Sequence, residues 1–207
     1  MTYIPLYDKP LVWVDTETTG LDPQNNDIIE IAIIKTLPSG NEISWHTKIK
    51  MERPESAHPK ALAVNGYTDE GWADAVDPAT IWRELADTGL LENCILAGHN
   101  VGFDADFINA TFVRHGIKLR VDYHKYDTVT LALEHLKPWL KSASLVSVCG
   151  ALGIPTDGAH GAMADVRMAM EVNRVLTTAT TQEKMRRVAD VPARIAAWEA
   201  LRAHSSK

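Results

Sequence analysis

The sequence predicts a mixed α/β fold in which helices cover a central sheet. Segments with strand character come first and then interleave with segments of helical character, the order expected of a layered α/β domain. Short connections join the first three strand-like segments, which favours antiparallel neighbours. The apolar run CILAG at 94–98 is flanked by polar residues and is typical of a central, buried strand.

The composition is that of an ordinary globular protein. The chain has 207 residues, of which 45% are hydrophobic and 23% charged, and this suffices for one domain with a real core. We expect a domain over residues 1–177 and a C-terminal helical extension over 178–207. No apolar run is long enough to cross a membrane and the first ten residues do not form a signal peptide, so we expect a cytoplasmic protein without a membrane partner.

The charge balance restricts the partners. The net charge is −6, from 21 Lys and Arg against 27 Asp and Glu, which argues against broad wrapping of a nucleic-acid duplex but leaves binding of a strand end open. Cys94 and Cys149 lie in apolar runs, so we expect two buried free thiols in a reducing compartment. The basic residues of the tail, between Lys184 and Arg202, fit either a solvated helix face or a contact with a partner.

The elements follow in order along the chain. Alternation of apolar and polar residues and β-branched content predict strands at 11–15, 28–35 and 42–50. A short helix at 60–64 precedes a turn at Asn65–Gly66. Asp77 and Pro78 are a helix start, with Asp at the N-cap and Pro in the first turn, and that helix should run to about residue 87.

The second half alternates strands with helices. After the strand at 94–98, we expect a helix at 103–115 that ends at Gly116, because glycine readily adopts the left-handed conformation that closes helices. A last strand within 120–127 ends at Asp127, which we interpret as the N-cap of the next helix. Further helices are predicted at 128–135, 144–152 and 162–176, followed by tail helices beyond residue 180 that are interrupted at Pro192.

Two carboxylates stand one residue apart at the end of the first strand. Asp15 and Glu17 lie on the same side of a strand, because side chains alternate faces with a period of two. Bringing two negative charges together is costly unless a positive charge lies between them, and hard divalent cations with oxygen ligands are the usual solution. The pair therefore predicts a metal site.

Two later segments offer further groups for such a site. In AGHNVGFDADFI, His99 and Asn100 follow the central strand and Asp104 falls in the first turn of the next helix, where it equally fits a helix-start charge. In DGAHGAMADV, His160 and Asp165 would lie about 140° apart on one continuous helix. They can converge only if His160 belongs to the glycine-rich segment before the helix; otherwise it is a surface histidine.

Three motifs in order, DTETTGLDP, GHNVGFD and HGAMAD, resemble the exonuclease motifs of the DEDDh group of 3′-to-5′ exonucleases. This family includes DnaQ-like proofreading subunits, RNase T and oligoribonuclease, and the resemblance covers about residues 10–176. It implies a ribonuclease H-like fold with a mixed five-stranded sheet. It also implies a site for two divalent ions, Mg²⁺ or Mn²⁺, and release of nucleoside monophosphates from single-stranded DNA or RNA 3′ ends.

The resemblance also implies roles for individual residues. Asp15, Glu17, Asp104 and Asp165 match the metal-binding carboxylates, and His160 matches the general base. Contacts to the terminal nucleotide are implied for Thr18, Leu21, His99, Asn100 and Phe103, and Val64 precedes a turn near the 3′ end. The common His-Gly turn of the family is here Asn65–Gly66, a departure that concerns substrate contacts and not the metal ligands.

The chemistry of these residues agrees with the resemblance. Two ions can activate water and stabilise the leaving oxygen, and hard oxygen ligands favour Mg²⁺ or Mn²⁺ over zinc. Histidine can accept the proton of that water, while Leu21 and Phe103 can grip a base without reading its identity.

Three alternatives remain open at this stage. The enzyme could prefer DNA, general RNA or very short RNA. It could be a polymerase-associated proofreading subunit whose tail, with Trp198, docks on a DNA polymerase or forms a homodimer. It could also be a binder of nucleic acid without catalysis.

Overall fold

The structure, a computed structural model, describes residues 5–37 and 39–178 together with residues 193, 194 and 196. Within these residues the five strands are β1 (Leu11–Thr18), β2 (Ile28–Thr36), β3 (Glu42–Lys48), β4 (Ile95–Gly98) and β5 (Lys125–Asp127). The α-helices are α1 (Pro59–Val64), α2 (Pro78–Asp87), α3 (Val101–Arg114), α4 (Thr128–Leu136), α5 (Leu145–Leu152) and α6 (Ala162–Thr178).

The strands form one mixed sheet in the order β3-β2-β1-β4-β5. The first three are antiparallel neighbours, and β4 and β5 run parallel to β1. The predicted mixed sheet covered by helices is therefore confirmed. β1 continues three residues beyond the predicted end, because its pairing with β2 persists through Glu17, and this extension keeps Asp15 and Glu17 on one strand.

Helices cover both faces of the sheet. On one face, the even-numbered residues Val12 and Val14 of β1 pack in a buried cluster with side chains of α2 and α3, including Trp82 and Phe107. On the other face, Trp13 packs with Ala162, Val166 and Ala169 of α6. Helices α4, α5 and α6 share a further apolar cluster, which includes Cys149. Alternation along β1 therefore directs Asp15 and Glu17 towards the α6 side.

Most helix ends follow the predicted local chemistry. The side chains of Asp77 and Asp127 accept hydrogen bonds from the backbone N–H groups of Thr80 and Val129, so both aspartates are N-caps as expected. Gly116 and Gly153 have φ angles of 67° and 70° after their helices, a conformation that costs glycine little.

Other boundaries also differ from the prediction. α3 begins at Val101, two residues early, and β3 ends at Lys48, two residues early. β5 has only three residues. The residues just before it make isolated backbone hydrogen bonds, and no continuous ladder, with the residues just before β4; one runs from the Asp122 N–H to the Cys94 carbonyl (2.8 Å).

Of the C-terminal extension, the structure describes residues 178, 193, 194 and 196. Arg194 Nη1 donates to the carbonyl of Leu152 at the end of α5 (3.2 Å). Trp198 and the rest of the predicted tail helices lie outside the described residues, and the boundary at 177/178 stays a prediction. Cys94 and Cys149 are buried free thiols, as predicted. Among the described helices, none has both the length and the apolar character needed to cross a membrane.

Candidate metal centre and nucleotide pocket

Three predicted metal ligands come together at one end of β1. Asp15, Glu17 and Asp165 each offer a carboxylate oxygen within 4.8 Å of the others. β1 supplies the first two from the face that packs on α6, and the first turn of α6 supplies Asp165. Oxygen-only ligands at this separation suit a hard divalent cation.

Asp104 approaches the same strand end from the opposite side of the sheet. Its Oδ1 accepts hydrogen bonds from the backbone N–H and the hydroxyl of Thr16, both at 2.8 Å. Thr16 lies between Asp15 and Glu17 and faces the α3 side. Asp104 is not in the close group of three carboxylates, yet its charge contributes to the raised pKa of Asp15.

The pKa values of these carboxyls show how costly the arrangement is. Burial, followed by repulsion from Asp165 and other acids, raises the pKa of Glu17 to about 8. Burial raises the pKa of Asp104 to about 7 even though Thr16 opposes the shift. The pKa values of Asp15 and Asp165 are also raised, chiefly by burial. Cations between the carboxylates would remove this cost, so the residues present fit a metal site.

His160 lies in the turn that precedes α6 and not in the helix. Its φ is 69°, a left-handed conformation that is unusual for a residue with a Cβ. The backbone N–H of His160 donates to Asp165 Oδ1 at 3.2 Å, which ties the turn to the carboxylate cluster. The side chain is exposed, so the imidazole is accessible beside the predicted ligands.

A pocket of about 730 Å³ opens beside the cluster. It shares Glu17 with the cluster, and it contains four of the predicted nucleotide contacts, namely Thr18, Leu21, Val64 and Phe103. Leu21 is 85% exposed and Val64 48%. Exposed apolar side chains around a concave surface are a usual mark of a binding site.

The other two predicted contacts, His99 and Asn100, do not line this pocket. His99 Nε2 donates to the carbonyl of Ala143 (2.7 Å), and Nδ1 pairs with the Thr128 hydroxyl (2.9 Å). Burial lowers the pKa of His99, in keeping with a neutral ring. The backbone N–H of Asn100 donates to Asp127 Oδ1 (3.0 Å). In this structure both residues join β4 to the helices that follow it.

Sequence reasoning did not identify several residues of the site. The pocket is also lined by Asn26, Ser56, His58, Lys60 and Ala61. Lys60 and Ala61 lie one turn before Val64 on α1, so helical spacing could have indicated them. The loop residues carry no such signal.

Two further polar contacts concern the strand end. Glu30, an isolated acid in the apolar strand IIEIAII, is buried and pairs with His46 Nε2 at 2.7 Å. Asn65, at the position where the family commonly has histidine, donates through Nδ2 to the carbonyl of Thr18 (2.9 Å). Asn65 thereby holds the end of α1 against the end of β1.

The fold and the carboxylate cluster together define a nuclease-type hydrolase of the ribonuclease H-like class. The family model described as exonuclease, RNase T type, matches residues 12–173. This chain therefore belongs to the exonuclease family, and the predicted membership of the DEDDh, DnaQ-like 3′-to-5′ group is confirmed.

Relatives and solved structures agree with this membership. The PolC-type DNA polymerase III of Thermotoga maritima is 35% identical over 167 residues, which are 80% of this chain and 12% of the polymerase. Escherichia coli exonuclease I in complex with a dT13 oligonucleotide has a TM-score of 0.69 at 22% identity, over 82% of this chain and 41% of that one. Its zinc-bound complex with single-stranded DNA also has a TM-score of 0.69 at 22% identity, with 86% and 42% covered.

The chain thus spans about an eighth of the polymerase, 12% of its length, and about two fifths of the solved exonuclease I chains, 41% and 42%. The similarity to exonuclease I concerns the fold, which is the predicted ribonuclease H-like sheet flanked by helices.

Proposed function

We propose that this chain is a metal-dependent 3′-to-5′ exonuclease that releases nucleoside 5′-monophosphates from single-stranded ends. The observation that carries the proposal is the shared position of Glu17, which belongs to both the carboxylate cluster and the apolar pocket. A terminal nucleotide seated in the pocket has its phosphodiester next to the groups that can hold metal ions.

Asp15, Glu17, Asp104 and Asp165 are the proposed metal ligands. Two divalent ions, Mg²⁺ or Mn²⁺, would supply water activation and stabilisation of the leaving oxygen at this position. The protein contributes the placement of the ligands: Thr16 fixes one oxygen of Asp104, and the backbone N–H of His160 fixes one oxygen of Asp165.

His160 is the proposed general base. Its backbone is anchored to Asp165 while its imidazole is exposed, so the ring can take a proton at the edge of the cluster and pass it to solvent. Histidine suits this task because its two protonation states interchange readily near neutral pH.

The pocket is the proposed site of the terminal nucleotide. Leu21, Val64 and Phe103 offer apolar and aromatic surface, which binds the face of any base and so does not select sequence. Thr18, at the end of β1, lines the same pocket and follows Glu17 in the chain. His99, for which the resemblance implies the same role, would act on the nucleotide through the elements that it holds together. The contact of Asn100, whose side chain is exposed, stays a prediction.

Single-stranded DNA is the favoured substrate within this proposal. The solved neighbours hold a dT13 oligonucleotide and single-stranded DNA, and the curated relative is a DNA polymerase. The same relative supports a second candidate, a proofreading unit that works beside a DNA polymerase. RNA is the competing substrate, and an RNA-specific exonuclease is the corresponding alternative. Because the chain is acidic overall, it suits strand ends better than duplexes.

A matched pair of aspartates on α3 tests the proposal. Asp104 is buried at the cluster, whereas Asp106 is exposed two residues away. We expect Asp104→Asn to abolish the release of monophosphates from 5′-labelled DNA oligomers, and Asp106→Asn to retain wild-type activity. Labelled RNA oligomers of several lengths in the same assay decide between the substrate classes. A folded Asp104→Asn variant with normal activity would refute the proposal.

A further inference from the structure

The segment that carries Leu21 is a closed loop. We call residues 19–27 the Leu21 loop. At its base the backbone N–H of Thr19 donates to the Asp27 carbonyl, and the N–H of Asp27 donates to the Thr19 hydroxyl, both at 2.9 Å. Leu21 lines the pocket although its side chain is 85% exposed. Because so little packing surrounds this side chain, its position depends on the backbone of the loop.

A buried carboxylate at the end of the loop joins it to two other parts of the chain. Asp27 is only 2% exposed. Its Oδ2 accepts from the backbone N–H groups of Glu52 (2.8 Å) and Arg53 (2.7 Å). Its Oδ1 accepts from Arg53 Nε (2.9 Å) and from Arg114 Nη1 at the end of α3 (3.0 Å). Two guanidinium groups thus compensate the buried charge.

Arg53 also holds the loop further along. Its Nη1 donates to the carbonyl of Gln24 (2.5 Å) and its Nη2 to the carbonyl of Asn26 (2.6 Å). A planar guanidinium can satisfy several acceptors at once in one fixed geometry, which an ammonium group cannot do. One side chain therefore fixes three neighbouring parts of the loop.

The contacts continue from Asn26 to the residue next to Leu21. Asn26 Oδ1 accepts from the backbone N–H of Asp22 (3.0 Å), and its Nδ2 donates to the carbonyl of Ser56 (2.8 Å). Gly20, on the other side of Leu21, lies against the same amide, since a Cβ there would stand 2.3 Å from Asn26 Oδ1. Asn26, whose own backbone is held by Arg53, thus holds the backbone after Leu21 by a hydrogen bond and packs against the backbone before it.

We propose that Arg53 is a positioning residue for the terminal nucleotide, acting through the Leu21 loop. The inference rests on the proposed function, because it assumes that the pocket receives the 3′ nucleotide. Arg53 is not among the described residues that line the pocket, so its influence on substrate passes through Leu21. A loop that is ordered before binding avoids the entropy cost of ordering it at binding.

A double-substitution cycle tests this route. Arg53→Lys keeps a positive charge near Asp27 but loses the planar guanidinium group that donates to several acceptors at once. Leu21→Ala removes the side chain that the loop presents to the pocket. With a single-stranded DNA oligomer, we expect Arg53→Lys to raise KM about tenfold and to change kcat less than about twofold. In the Leu21→Ala background, the same change should raise KM less than about twofold, because coupled residues are not additive.

Arg83→Lys is the matched control, since Arg83 is an exposed arginine on α2, and it should leave KM unchanged. A KM effect of Arg53→Lys that is equally large in both backgrounds would overturn the proposal. So would a KM that does not change in the single variant.

Amide hydrogen exchange gives a second readout that does not need catalysis. We expect Arg53→Lys to speed exchange at the backbone N–H groups of Asp22 and Asn26 by about tenfold or more, and to leave those of α6 unchanged. Unchanged exchange in the loop would overturn the positioning role. If the wild-type protein had no exonuclease activity but Arg53→Lys still sped exchange in the loop, the proposed function would be wrong and the effect of Arg53 on the loop would stand.

Discussion

Glu17 of β1 lies directly opposite Glu30 of β2 in the antiparallel ladder, and both residues are buried. Like charges in opposite positions destabilise a sheet. Glu30 also contributes to the raised pKa values of Asp15, Glu17 and Asp165. Glu30 is thus a further carboxylate next to the predicted metal ligands. Protons or cations must compensate the negative charge of all these carboxylates for the fold to be stable.

The metal-free protein should lose stability as the pH rises. The folded-state pKa of Glu17 is raised to about 8 and that of Asp104 to about 7. A carboxyl with a raised folded pKa stabilises the fold fully below its unfolded pKa, and this contribution disappears as the pH rises through the folded pKa. In EDTA, the urea midpoint should therefore be lower at about pH 8.5 than at about pH 5.

Divalent metal should reverse this loss, because an ion that binds only the folded state stabilises it. At the higher pH, addition of Mg²⁺ or Mn²⁺ in place of EDTA should raise the midpoint. A midpoint in EDTA that is the same at both pH values would contradict the electrostatic account of the cluster.

Glu30→Gln should stabilise the metal-free protein and weaken metal binding. The substitution removes one negative charge from the cluster and keeps an oxygen that can accept from His46 Nε2. We expect a higher urea midpoint in EDTA at alkaline pH and a several-fold weaker affinity for Mn²⁺, measured by calorimetry. Glu42→Gln is the control, because Glu42 stands at the opposite end of β3 from Lys48, the residue that pairs with Glu30. Equal metal affinities in Glu30→Gln and wild type would show that Glu30 does not act on the site.

His99→Ala should reduce stability more than it reduces catalysis. Loss of the ring leaves the Ala143 carbonyl and the Thr128 hydroxyl without their His99 partner, at a cost of about 1–3 kcal/mol for a buried polar group. Urea unfolding should show this loss, while kcat/KM well below the transition should change by less than about threefold. His124→Ala, at a more exposed histidine, should change neither. A large fall in kcat/KM at unchanged stability would favour the direct nucleotide contact that the resemblance implies.

The sequence was most informative where chemistry depends on local spacing. The period of two along β1 places Asp15 and Glu17 on one face, and the glycines around His160 keep it out of α6. Both features follow from neighbours in the chain, as do the caps at Asp77 and Asp127. The motif that contains Asp104 indicated its proximity to the strand end, but not the hydrogen bonds from Thr16 that hold it there.

Features that depend on distant pairing were not predictable. Glu30 meets Glu17 only through the register of β2 on β1, which sequence periodicity does not determine. Eight of the fourteen described residues that line the pocket come from the Leu21 loop and from residues 56–61, and the contacts of Asp27 and Arg53 bring these segments together. The motif alone predicts a nucleotide contact for His99, whereas its hydrogen bonds run to residues 29 and 44 positions later.

His160→Gly should slow catalysis strongly without damaging the fold. The structure separates two contributions of this residue: its backbone N–H donates to Asp165 Oδ1, and its exposed imidazole is the proposed base. Glycine keeps the N–H and adopts the φ of 69° more easily, so the placement of Asp165 should survive. We expect kcat to fall by about 10²- to 10⁴-fold, the usual contribution of general acid–base catalysis. Metal affinity and the urea midpoint should stay close to wild type.

Ala159→Gly is the control for added backbone freedom in the same turn and should keep its activity. If His160→Gly retained wild-type kcat, another group would have to be the base; if it lost metal affinity as well, the residue would act through Asp165 instead.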